Sequence, residues 1–123
     1  MQIGELARRT GTTTRALRYY EQQGLLSSER DVNDYRTYDE GSVRAVRNIQ
    51  ALLADGLLTK EIRGFGACLY ERDLSVEPPC ADAVAVYLRR RDAVADRIDE
   101  LTDQHSRLSA ALSGVAQRAS RWA

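Results

Sequence analysis

The sequence predicts a mostly α-helical protein, with a small helix-turn-helix head carrying a two-stranded wing and then one long helix that needs a partner. Three observations predict it. Two short apolar-periodic segments are separated by Thr10-Gly11, the pattern of two helices joined by a glycine-containing turn. A polar stretch from Ser27 to Tyr38 carries Asn33-Asp34 at its centre, a pair that tolerates the positive φ of a hairpin turn. From Val84 to Val115 apolar residues recur alternately three and four apart, a heptad seam.

In the first helix Ile3, Leu6 and Ala7 share one face, and Gly11 suits the left-handed position that ends it. Thr13 is placed to cap a second helix from Thr14 to about Gln23, its hydroxyl accepting a free backbone N–H. Leu17 and Tyr20 point inward, which leaves Arg15, Arg18, Tyr19 and Gln22 on other faces. Gly24 closes this helix and Leu25-Leu26 return to the core. Ser27–Tyr38 reads as the wing. Asp39 caps a third helix to about Asp55, with Val43, Val46, Ile49, Leu52 and Leu53 at helical spacing; Gly56 closes it. A shorter helix is expected to carry Ile62, Phe65 and Leu69, weakened by Gly64 and Gly66 at roughly 1 kcal/mol each.

Pro78-Pro79 ends a linker. The domain reading is a head over 1–72, a linker over 73–80, a long helix over 81–115 and a short tail over 116–123. The seam comprises Val84, Tyr87, Arg91, Val94, Ile98, Leu101, His105, Leu108, Leu112 and Val115. A lone helix cannot bury such a seam, and an identical chain is the simplest partner. Arg91 and His105 are the polar positions expected to set register.

The chain has 123 residues, 43% of them hydrophobic, and a formal net charge of zero. Charge alone gives little reason to expect a nucleic-acid partner. Residues 1–28 are mildly basic, with Arg8, Arg9, Arg15 and Arg18 against Glu5 and Glu21. Arg8 and Arg9 read as a solvated face. No apolar run approaches the roughly 20 residues of a membrane helix. The N-terminus lacks the features of a secretory signal, so a cytoplasmic protein without membrane contact is expected. An enzyme is not expected, because there is one histidine, no metal-ligand cluster, no glycine-rich phosphate loop and no nucleophile with a nearby base.

Ile3-Gly4-Glu5-Leu6-Ala7, Thr10 to Glu21 with its Leu17-Arg18-Tyr19-Tyr20 core, and Gly24-Leu25-Leu26 together resemble the DNA-binding domain of the MerR family of transcription regulators. Arg30, Asn33, Tyr35-Arg36 and Tyr38 fall where that family's wing places such residues. The resemblance covers nearly the whole chain, and it implies a short form without a large effector domain. It also implies a winged helix-turn-helix, an antiparallel coiled-coil homodimer, and regulation by bending and untwisting promoter DNA, with RNA polymerase engaged only indirectly. Arg15 would reach base edges, where a guanidinium donates two bonds to guanine. Thr13, Thr14 and Tyr19 would lie beside bases or phosphates. Arg18 would brace the wing or touch phosphate, and Tyr35 and Arg36 would clamp the backbone. Tyr38 is open between wing packing and DNA contact. Three residues depart from the pattern: Asp34 stands in place of glycine at the wing turn, Ser28 in place of proline, and Leu58 in place of a capping Ser or Thr.

Cys68 and Cys80 carry the question of the signal. In a cytosolic chain they are expected to be reduced at rest. They fit a thiol switch, a soft-metal site shared across a dimer, or two small buried apolar side chains. No cofactor is required. A small organic effector held near Phe65, Tyr87 and Trp122, or no effector at all, also fits. An architectural DNA-binding factor and a protein-interaction module are the alternatives of another class.

Overall fold

The computed structural model describes the backbone of residues 1–122 and the side chains of residues 1–119. Two compact units divide it, residues 1–87 and the helix from residue 88 onward. The first unit thus takes in the linker and the opening turns of the long helix, beyond the expected boundary at residue 72.

Helix α1 (Ile3–Thr10) buries Leu6, Ala7 and Thr10. It ends on Gly11 at φ +68°, a left-handed conformation that costs glycine nothing. Helix α2 (Thr14–Gln22) begins where the Thr13 hydroxyl accepts the Ala16 N–H at 3.1 Å. Leu17 and Tyr20 go into the core, and Leu25 and Leu26 follow them.

Strands β1 (Glu29–Arg30) and β2 (Arg36–Thr37) pair antiparallel, Glu29 with Thr37 and Arg30 with Arg36. The turn differs from a tight two-residue hairpin. Asp34 has positive φ, +64°, and Asn33 does not. The Asp34 N–H donates to the Asp31 carbonyl, and the Asp31 N–H to the Tyr35 carbonyl, both at 3.0 Å. A turn followed by one left-handed residue is the three-residue form of hairpin loop. The Asp31 carboxylate completes it, accepting the N–H groups of Asn33 and Tyr35.

Helix α3 (Glu40–Ala54) is the spine of the head. Asp39 and Ser42 cap it reciprocally, satisfying two backbone donors that a helix start leaves open. Val43, Val46, Ile49 and Leu52 are buried along it, and it packs on α1 and the segment after Gly66. Leu53, expected on the same face, lies at its edge and is exposed.

The expected single helix through Ile62, Phe65 and Leu69 is two pieces, α4 (Thr59–Arg63) and α5 (Cys68–Glu71). The glycines cause the break. Gly66 sits at φ +54°. A Cβ on Gly64 would lie 3.1 Å from the Glu61 carbonyl and 3.2 Å from Val86 Cγ2, so that position holds a close approach. Leu58 takes the cap position of α4 without a capping side chain; only the Glu61 carboxylate reaches back, accepting the Leu58 N–H at 2.7 Å.

Helix α6 (Ala81–Trp122) continues past the expected end at residue 115 through most of the expected tail. Its first turns belong to the head, with Ala83 and Val86 buried. Tyr87, expected on the dimer seam, sets its half-buried ring edge-on to Phe65 with centroids 5.3 Å apart. From residue 91 to 119 every residue except Gly114 is exposed, and Val94, Ile98, Leu101, Leu108, Leu112 and Val115 form an open apolar stripe. No described helix is long and apolar enough to cross a membrane.

Candidate nucleic-acid interface and thiol pair

Helix α2 is held so that one face is committed to the core and the other is free. Thr13, Arg15, Arg18 and Tyr19 are exposed, and Thr14 is half-buried. Arg15 and Arg18 have no hydrogen bond or ion pair among the described residues. Two unpaired guanidiniums on one short helix keep all their donors available. Gln22 continues that face by one turn.

The wing stands beside it. Arg18 and Arg36 line one shallow groove between α2 and the wing, and Arg30 and Tyr35 border its outer part. Tyr35 is exposed and uncommitted. Arg36 is not free: its Nε lies 3.4 Å from a Glu21 carboxylate oxygen. Arg30 donates to the Asp34 carbonyl at 2.8 Å and so braces the left-handed turn residue. The structure therefore gathers Arg18, Tyr35 and Arg36 in one place, and sets Thr13, Arg15 and Tyr19 on the adjoining helix face.

Glu21 is the residue that sequence reasoning missed. Its carboxylate accepts the Tyr38 hydroxyl and faces Arg36, so one side chain of α2 holds strand β2 at its first residue and just past its last. Tyr38 is wing packing, not an exposed contact; only 4% of it is accessible. Burial, with the bond to Glu21 adding to it, pushes its hydroxyl pKa up to about 12. The signal that could have found Glu21 was an acid placed on the half-buried flank of α2 beside Leu17 and Tyr20. Val32 was also missed; it is fully exposed at the wing tip. Arg9, read as a solvated side chain, makes a two-pronged pair with Glu40 at 2.5 and 2.8 Å.

The two cysteines come together as a disulfide, with Cα atoms 6.1 Å apart. The sequence reading is of two separate thiols; the structure pairs them. Both lie in the head, Cys68 on α5 and Cys80 just before α6. Among the described residues no three His, Cys, Asp or Glu side chains gather to hold a metal ion. His105 lies far along α6 in the other unit. The Trp122 side chain, one wall of the imagined effector pocket, lies outside the described residues.

Comparisons with known proteins bear on the family and the fold. Residues 1–65 match the family model described as MerR HTH family regulatory protein. A nodulation protein, NolA, of Bradyrhizobium sp. is 36% identical over 84% of this chain, which spans 40% of that relative. The transcriptional regulator HmrR of Rhizobium leguminosarum bv. viciae is 31% identical, over 84% of this chain and 77% of its own length. The solved regulator PbrR691 of Ralstonia metallidurans, in complex with lead(II), superposes with TM-score 0.68 at 28% identity, covering 88% of this chain and 81% of that one. HiNmlR, a MerR family regulator lacking the sensor domain and bound to promoter DNA, gives TM-score 0.56 at 23% identity, covering 91% of this chain and 86% of its own, a likeness of fold.

Proposed function

Since the chain belongs to the MerR HTH family of regulatory proteins, we propose that it is a transcriptional regulator that grips promoter DNA as a homodimer and acts by bending and untwisting it. The carrying observation is the free face of α2. Arg15 and Arg18 are exposed and unpaired there, and the wing's Tyr35 and Arg36 stand across the adjoining groove.

In this reading α2 enters the major groove with Arg15 toward base edges, where a bidentate guanidinium discriminates guanine. Thr13 caps α2 through its oxygen and still has its hydroxyl hydrogen to donate to a phosphate. Thr14 and Tyr19 flank the groove. Arg18, Tyr35 and Arg36 take the backbone, and Arg36 exchanges Glu21 for a phosphate as it does so. Phosphate contacts fix orientation and base contacts fix sequence. Distortion of the duplex between two heads supplies readout at untouched base pairs, and RNA polymerase senses the protein through that altered DNA.

The exposed stripe of α6 supports the homodimer, through Val94, Ile98, Leu101, Leu108 and Leu112 with Arg91 and His105 as its polar positions. A contiguous apolar stripe in water marks an interface. An antiparallel pair of α6 helices buries it, with Val84 at its margin. No membrane partner or catalytic role enters this reading.

The test is binding of the purified protein to duplexes from its own upstream region across a salt series. Affinity should fall linearly in log–log form, with a slope set by the phosphates neutralised, and permanganate reactivity should reveal distorted base steps. A protein that binds no promoter-like duplex at low salt is not this regulator.

A further inference from the structure

The linker between α5 and α6 is closed twice over. Asn48, buried on α3, donates to the carbonyls of Leu69 (2.8 Å) and Arg72 (2.6 Å) and accepts the Leu74 N–H at 3.1 Å. Arg72 donates to the Pro78 carbonyl at 2.8 Å. These bonds, not the sulfurs alone, bring residue 80 back to residue 68. The two sulfurs thus face each other at a high effective concentration whether or not they are bonded.

They are also unlike one another. Cys68 is buried at 4% accessibility, whereas Cys80 is half-buried. The Cys80 N–H points at Cys68 Sγ, 3.3 Å away, a donor that stabilises negative charge on that sulfur. Around them lies the footing of α6: Ala83 and Val86 buried, Tyr87 against Phe65, and Gly64 in close approach to Val86.

We propose that Cys68 and Cys80 form a redox-active dithiol site that exchanges with low-molecular-weight thiols and disulfides and thereby tightens or loosens the footing of α6 on the head. The inference rests on the DNA-binding reading in one respect. A protein working beside DNA meets a thiol-reducing environment, in which disulfides are transient and sensing rather than permanent. The chemistry balances. An external thiolate attacks Cys80 Sγ, the more accessible sulfur; the S–S bond breaks and Cys68 leaves as a thiolate. A second external thiolate attacks the external sulfur of the mixed disulfide, releasing the Cys80 thiolate and one molecule of external disulfide. Two electrons pass from two external thiols to the protein, and their two protons end on Cys68 and Cys80. Oxidation by the external disulfide is the reverse.

The full chain is equilibrated in glutathione buffers of graded ratio, quenched with an alkylating reagent and weighed by mass spectrometry, with no DNA present. Both thiols should disappear together in one two-electron transition. Cys68→Ser should leave Cys80 to accumulate a glutathione adduct, whereas Cys80→Ser should leave Cys68 slow to react. Oxidation should raise the melting temperature of the wild type by about 10 °C and leave the double serine variant unmoved. Affinity for a bound upstream duplex should differ between the two wild-type states by roughly fivefold or more. A pair that never bonds, or one that no glutathione ratio reduces without unfolding, overturns the site. Equal affinity and melting in the two states overturns its mechanical role. Failure to bind DNA in either state would count against the regulator reading alone, because the thiol titration is read without DNA.

Discussion

The head and the outer part of α6 use the same kinds of apolar side chain in opposite ways. In the head, Leu6, Leu17, Ile49 and Ile62 have no accessible surface at all. Along α6, Ile98 is 57%, Leu101 48% and Leu112 71% accessible. The head's apolar residues are consumed by folding, and those of α6 remain in hand for association. A substitution of one chemical kind should therefore be read out by two different instruments, depending on where it falls.

The largest effect should come from breaking that division. Ile49→Ala leaves a cavity on the α3 spine and should cost about 2–5 kcal/mol, a large share of a small domain's stability. Thermal melting would show it. Leu101→Asp should leave the head's melting unchanged and dissociate the dimer, because a charge would have to be buried in the seam. Analytical ultracentrifugation would show a monomer, and DNA affinity would fall with it. A dimer that survives Leu101→Asp would place the interface elsewhere.

Next in size is Arg15→Ala. Losing a bidentate base contact should cost about 1–3 kcal/mol and relax specificity at one base pair. Arg36→Ala should cost less, lower the salt slope and leave specificity alone. A competition assay with single-base operator variants separates the two. Equal losses on every operator variant for Arg15→Ala would demote it to a phosphate contact.

What was legible in the sequence was whatever is decided locally. Thr13 and Asp39 cap their helices through bonds to residues three positions on, so spacing alone finds them. The exposed face of α2 follows from the burial of Leu17 and Tyr20. The partnership of Glu21 with Tyr38 and Arg36 spans 17 residues of chain and depends on how the wing folds back, which no local pattern encodes. Tyr87 shows what periodicity leaves out: heptad spacing places it on the seam stripe, but its contact with Phe65 comes from how α6 starts on the head. The break between α4 and α5 was half visible: the two glycines were read as weakening a helix, and the tertiary approach of Val86 to Gly64 turned weakening into interruption. The cysteine pairing needed the linker's path, which Asn48 sets from another helix.

The wing's seating gives a pH prediction of about 3 kcal/mol, roughly two pKa units at about 1.4 kcal/mol each. Tyr38 in the folded head titrates near 12, above the roughly 10 of an unfolded tyrosine. Its contribution is complete below pH 10, because both states hold the proton there. Between 10 and 12 the unfolded chain releases that proton first, so stability falls as pH rises. Tyr38→Phe should flatten this slope and remove the latest-titrating tyrosine from an ultraviolet absorbance titration. An unchanged slope in the variant would mean that other groups carry the alkaline loss.

The smallest effect belongs to the wing tip, and it sharpens the comparison between committed and uncommitted residues. Asp34 is the one described non-glycine residue at positive φ, a conformation that aspartate tolerates and glycine adopts freely. Arg30 holds it through its carbonyl at 2.8 Å, a bond that any residue at position 34 can keep, and through its carboxylate at 3.7 Å, a loose exposed pair. Asp34→Gly relieves the backbone and gives up that weak pair. It also gives the unfolded chain more freedom to lose. These terms oppose one another, so the net change should stay within about 0.5 kcal/mol of zero. The charge change should matter more than the fold: removing an acid from beside Tyr35 and Arg36 should tighten duplex binding at low salt, and the gain should fade as salt is raised. A gain that persists at high salt would come from wing geometry instead, and would assign Asp34 a structural cost that its φ alone does not reveal.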